Sequence, residues 1–323
     1  VTPTEDEEFR ERSLGGIDTS TRVRRMANVL VDDVDNDLDC YAAWSVVRDR
    51  IETATGGTFD ASGVELRSSA RLRVTIEAGA ALDACSPCEP DNPGRYLGVD
   101  NQAIRIMLAS ADRYVWGRDN AAPVYRVRVA APDAGEVRVS MLTPPRDEAH
   151  WPLQNTVVEF IPWGALLDNG QKVADAPGEF LRVETGYDPD SESFVLTEAD
   201  AAALDALTRE WDAAHPGRAQ LPNDNDPDGN YLYMRVWHRL DDAADPVLLD
   251  VNGTHDLLLR LGLRPEFSGT GNPGDFWVVA VRPNTPNVVV PWNLTQIGGV
   301  EPHGPRHYYA PLSLITFRPP EAG

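Results

Sequence analysis

Residues 63–76 read GVELRSSARLRVTI, and this stretch decides the fold class. Val64 and Leu66, then Leu72, Val74 and Ile76, alternate with polar or charged neighbours. A period of two puts alternate side chains on opposite faces of an extended chain, one face apolar and the other wet, as in a half-buried strand. The pattern recurs in short runs bounded by Gly, Pro or Asp-Asn, at Gln102–Leu108, Arg113–Trp116, Val124–Val129 and Glu136–Met141. Further runs follow at Thr156–Ile161, Phe180–Thr185, Ser193–Leu196, Tyr231–His238 and Val247–Val251. Asp256–Leu261, Phe276–Arg282, Val288–Val290 and Tyr308–Phe317 complete the set.

Two segments break the alternation. In Asp39–Glu52 the residues Tyr41, Trp44, Val47 and Ile51 fall near helical spacing behind Asp39 as N-cap, ahead of the Gly56-Gly57 break. In Glu198–Ala214 the residues Ala202, Leu204, Leu207 and Trp211 share one face, with Thr197 as N-cap and His215-Pro216-Gly217 as the stop. Many short strands, two short-to-medium helices and 26 prolines predict a mainly β protein, its antiparallel sheets forming a sandwich or barrel. The Pro- and Asp-rich stretch Ala214–Asn230 suggests a boundary between a β-rich front domain, 1–214, and a smaller β domain, 215–323. Residues 1–12, rich in acid, read as a solvated arm or as a segment cut from something longer.

The charge narrows the partners. Acidic residues number 51 against 29 basic, a net −22 that repels phosphates and argues against nucleic acid and anionic membrane surfaces. Lys172 is the single lysine, a bias that either a GC-rich genome or adaptation to high salt produces. No apolar run reaches the roughly 18 residues of a membrane span, so no membrane insertion is expected. Three cysteines are too few for a disulfide scaffold.

Two clusters carry metal-ligand chemistry. Asp224-Asn225-Asp226-Pro227-Asp228-Gly229 opens like a calcium loop, with hard oxygen donors on Asp224, Asp226 and Asp228 and a glycine that lets the chain turn around the ion. The twelfth loop position is Arg235 where a bidentate Glu belongs, which favours an Asp/Asn/Pro turn on an acidic surface over a calcium site. Cys85-Ser86-Pro87-Cys88 has the spacing of a zinc or redox pair; Cys40 with His303 or His307 would complete a zinc set, a disulfide from Cys40 to Cys85 or Cys88 is an alternative, and buried or free thiols are the plainer reading. Asp32, Asp33, Asp35, Asp37 and Asp39 form an acidic run without fixed spacing, read as a solvated loop. No catalytic motif joins the six histidines: there is no nucleophile elbow, zincin helix or phosphate loop. Trp116, Trp163, Trp237, Trp277 and Trp292 can stack on sugars, but most sit in apolar strand runs and read first as core.

Six phrases resemble an uncharacterised bacterial family associated with phage-tail-like contractile injection systems. They are SLGGIDTSTR (13–22), RYLGVDNQAIRI (95–106), VWGRDNA (115–121), NTVVEFIPWGALLDNG (155–170), GDFWVVAVR (274–282) and PHGPRHYYAPLSLI (302–315). The resemblance implies a segment of roughly one hundred residues upstream of the first phrase, residence in a tail-like particle within the cytoplasm or released from it, and no catalytic residue. The function expected is therefore a non-catalytic structural or assembly component with protein partners, prone to homo-oligomerise through exposed strand edges. An extracellular carbohydrate-binding or carbohydrate-cleaving module and a calcium-dependent adhesion domain are the other classes.

Overall fold

The computed structural model describes residues 29–76, 95–161, 165–166, 172–173, 178–206, 232–253 and 261–315, apart from a few isolated positions. Asp39 begins the one long helix described in full: its carboxylate accepts from Ala42 N at 2.8 Å, and α1 runs Cys40–Thr55. Gly56, at φ 76°, closes it in the left-handed conformation that an L side chain resists. In the second expected helix, helical residues are described within 199–206, with Leu204 buried; its remainder lies outside the described residues.

The strands are β1 (Thr58–Phe59), β2 (Glu65–Arg67), β3 (Arg71–Ile76), β4 (Gln102–Leu108), β5 (Arg113–Gly117), β6 (Val124–Val129), β7 (Glu136–Met141), β8 (Val157–Ile161) and β9 (Ala165–Leu166). They continue as β10 (Lys172–Val173), β11 (Glu179–Arg182), β12 (Thr185–Asp188), β13 (Ser193–Thr197), β14 (Leu232–Trp237), β15 (Leu249–Asp250), β16 (Leu263–Ser268), β17 (Phe276–Val281) and β18 (His307–Tyr308). Every described pairing is antiparallel. The largest sheet has seven strands in the order β11-β8-β14-β6-β7-β13-β12 and curls into a half-barrel. A four-stranded sheet, β15-β5-β4-β17, a β16-β3 pair, a β9-β10 pair and the small β1-β2-β18 sheet make up the rest.

Alternation along the strands sorts side chains among three cores. Ile104, Ile106 and Leu108 of β4 pack with Tyr114, Trp116, Trp277 and Val279. Val158 and Phe160 of β8 pack with Val127, Val139, Leu196 and Met234 inside the curled sheet. Met107, Val115, Val157 and Trp237 form a third cluster, drawn from both large sheets. Trp116, Trp237 and Trp277 are at most 1% exposed, each contributing about 3 kcal/mol of apolar burial.

Three expectations are corrected. β14 to β18 all follow residue 214, and each hydrogen-bonds to a strand that precedes it: β6 and β8, β5, β3, β4 and β2 in turn. A division at 214/215 would cut through four sheets, because antiparallel pairing joined segments distant in sequence; residues 33–323 form one unit. Val288–Val290 makes a single bridge, Val290 to Ala280, before the cis Val290-Pro291 bond turns the chain. The last expected strand, Tyr308–Phe317, pairs only through His307 and Tyr308; beyond Tyr309 the described chain finds no neighbour to bond. The expected Asp256–Leu261 strand and the arm at 1–12 lie almost wholly outside the described residues.

Candidate functional site

Between β5 and β6 the chain reads GRDNAAP, 117–123, and here the backbone is strained. Asp119, Asn120 and Ala121 take φ values of 53°, 56° and 43°, three consecutive non-glycine residues in the left-handed region. Such a turn persists only when its surroundings hold it. Arg105 Nε donates to the Asn120 carbonyl at 3.0 Å and to its side-chain oxygen at 3.2 Å. Asp119 N donates to Gln102 Oε1 at 3.2 Å, and Arg118 N donates to the His238 carbonyl at 3.0 Å. Ala121 is buried in the third core cluster.

On one side of the turn opens a cleft of about 440 Å³, lined by Asp119, Pro123, Tyr125, Pro144, Arg146 and His150 among others. His150 ends a single 3₁₀ turn, Glu148–His150, which brings its ring back over Asp147. Nδ1 stands 2.5 Å from Asp147 Oδ1, and Nε2 lies 2.9 Å from an Arg146 guanidinium nitrogen. The pairing with His150 comes first among the causes that hold the Asp147 carboxyl below the usual range. With Nδ1–H donating to Asp147, the Nε2 lone pair accepts from Arg146. Tyr125 fixes the backbone beneath by donating its hydroxyl to the His150 carbonyl at 3.3 Å.

His238 packs edge-on against His150, with ring centroids 6.3 Å apart. Its Nε2 is buried without a hydrogen-bond partner among the described residues. Burial first, then the neighbouring His150 and Arg118, push its imidazole down to about 4, with Asp119 opposing. His238 is therefore neutral at pH 7.

Arg105, which holds the turn, also belongs to a charged cluster shared by the two large sheets. Glu159, on β8 between β11 and β14, is 1% exposed. It accepts from Arg235 at 2.9 Å, Trp237 Nε1 at 3.0 Å and Gly178 N at 3.0 Å. Arg105 stacks with its Cζ 4.0 Å from the Phe276 ring centroid. Burial, and then repulsion from Arg235, pull its guanidinium down to about 10. Arg239 and Asp241, both side chains fully enclosed, form a further ion pair at 2.6 Å, and Arg239 also donates to the carbonyls of Pro246 and Val247.

The residues singled out from sequence fare unequally. Cys40 is an exposed, free thiol at the start of α1, so the disulfide considered for it is not formed. Cys85, Cys88, Asp224, Asp226 and Asp228 lie outside the described residues. His303 bridges to Phe276 and packs tilted against its ring at 5.8 Å, while His307, in β18, pairs with Leu66 of β2. Among the described residues no three His, Cys, Asp or Glu side chains assemble as metal ligands. Trp116, Trp237 and Trp277 are core, whereas Trp292 is 74% exposed; Trp163 is outside the described residues. Sequence reasoning passed over the Asp147/His150 pair and the 118–121 turn. An Asp-x-x-His step and an Asp-Asn pair were their only local signals.

Fold and site together define a mainly antiparallel β protein with a strained inter-sheet turn beside a histidine-lined cleft. No known family, curated protein or solved structure matches the chain.

Proposed function

We propose that the chain is a non-catalytic structural or assembly component of a larger protein particle. The carrying observation is the set of large apolar side chains left in water at separate surface segments. Trp292 is 74% and Ile297 97% exposed in one loop, Val99 is 87% exposed in another, and Leu312 and Ile315 are 77% and 69% exposed beyond β18. Isolated apolar residues are ordinary on a surface, but a tryptophan and an isoleucine together on one loop fit contact with another protein. At the cleft both nitrogens of His150 are engaged, which suits a positioned ring better than a free base. The setting in a phage-tail-like or contractile-injection particle rests on the six sequence phrases alone.

The double substitution Trp292→Ser with Ile297→Asp tests the reading. Neither side chain supports the core, so the melting temperature should stay within a few degrees while the chain drops out of high-mass fractions of the cells that make it. Retention in those fractions, or migration of the unmodified chain alone, contradicts the proposal. Exposed Trp292 favours one second reading, a carbohydrate-binding module; binding on a glycan array that Trp292→Ser abolishes would establish it, and silence would remove it.

A further inference from the structure

We propose that two copies of this chain join by antiparallel pairing of residues 308–314 about a two-fold axis at Pro311, continuing the β1-β2-β18 sheet across the interface. This names a partner and a surface for the assembly reading above, and rests on it.

Register decides which backbone groups are available. His307 stands opposite Leu66 and Tyr308 opposite Glu65, and Tyr309 N donates to the Val64 carbonyl at 2.9 Å. In an antiparallel ladder alternate residues bond to the same side. Positions 307 and 309 therefore face β2, while Tyr308, Ala310, Leu312 and Leu314 direct N–H and C=O to the other edge as the strand continues. That edge is open, since β18 is the outer strand of its sheet among the described residues. From Tyr309 to Ile315 the chain runs without turn or bend, and the backbone of 310–315 makes no hydrogen bond to any described residue.

The placement of proline fits this edge. Pro311 has no N–H to give, and it falls in the alternate set that faces away from the open side. One position earlier or later it would remove an outward donor. Natural edge strands are commonly guarded by a charge, a bulge or a cover. No Asp, Glu, Lys or Arg occurs from His307 to Ile315. Instead the outward positions carry Tyr308, Leu312 and Leu314, exposed by 58%, 77% and 37%, with Ala310 between.

The strip is its own complement, which is why the occupant is a second copy. Pairing about Pro311 sets Tyr308 opposite Leu314 and Ala310 opposite Leu312. Each outward residue then meets an outward residue, and the small Ala310 meets the bulky Leu312. Such an isologous contact closes at two copies, so it gives a dimer and not a fibre. Because each copy carries −22, the dimer should strengthen as salt screens their repulsion.

Disulfide trapping reads the axis directly. With Cys40, Cys85 and Cys88 replaced by Ser, Pro311→Cys should oxidise to a covalent dimer, because facing residues at such a non-hydrogen-bonded site have Cα atoms about 4.5 Å apart. Tyr308→Cys should not, since its two copies would lie about 20 Å apart at ~3.4 Å per residue. Light scattering on the otherwise unaltered chain gives the independent arm: Leu312→Pro should abolish the dimer and Ser313→Pro should leave it. A monomer at all concentrations in high salt, equal trapping at 308 and 311, or equal effects of the two prolines overturns the proposal. Such a result bears on self-pairing alone, because incorporation into a particle is read separately through Trp292 and Ile297.

Discussion

Acidification should destabilise this protein through His238, and the size of the effect follows from its surroundings. The ring lies beside His150, Arg118 and Asp119, its Nε2 has no partner among the described residues, and burial holds its pKa at about 4 against an ordinary 6.5. Because the unfolded chain binds this proton more readily than the folded one, the His238 contribution is complete above pH 6.5. It declines as pH falls through that value and levels off below about 4. Between pH 7.5 and 5 the linkage amounts to about 2 kcal/mol, or about 1 kcal/mol where water reaches part of the ring. Protonation of surface carboxylates relieves the repulsion of a −22 chain over the same range and acts in the opposite direction. The readout is therefore the difference between the unaltered protein and His238→Gln in urea denaturation at the two pH values. Gln cannot ionise, so the variant should lose about 1–2 kcal/mol less on acidification. Equal losses in both proteins would refute the reasoning.

Three further outcomes follow from the charged interior and the surface. Glu159→Ala strands Arg235 and leaves the Trp237 and Gly178 N–H groups without their acceptor, so thermal unfolding should show a loss of about 3–5 kcal/mol; a loss under 1 kcal/mol would mean the cluster is dispensable. Arg239→Lys keeps the charge facing Asp241 but loses the fork that also reaches Pro246 and Val247, and should cost about 2 kcal/mol in the same assay. Raising the salt concentration should raise the melting temperature, since screening weakens self-repulsion; a falling temperature would point to ion pairs as the dominant surface term.

Local pattern carried far in this sequence. β4, β6 and β7 fall at the bounds that alternation and turn residues set, and α1 starts after Asp39 and stops at Gly56 as capping chemistry requires. β16 escaped because Pro265 interrupts its run; the proline is tolerated opposite Val74 in a two-stranded pair. The tempting boundary at 214–230 misled because Pro and Asp mark a connection as readily as a domain linker. The pairing of β14 with β6 and β8 is non-local and leaves no trace in composition. The cleft was illegible for the same reason: Asp147 and His150 are neighbours in sequence, but His238 reaches them only through the curled sheet. The strain at Asp119–Ala121 likewise comes from Arg105, Gln102 and His238, none of which the GRDNA phrase contains.

The most direct test of a surface built to receive another polypeptide is amide hydrogen exchange across residues 308–315 in dilute and concentrated protein. Protection should rise with concentration at Ala310, Leu312 and Leu314 and stay low at Ser313. Exchange at one unchanging rate along the whole segment would show that this edge pairs with nothing.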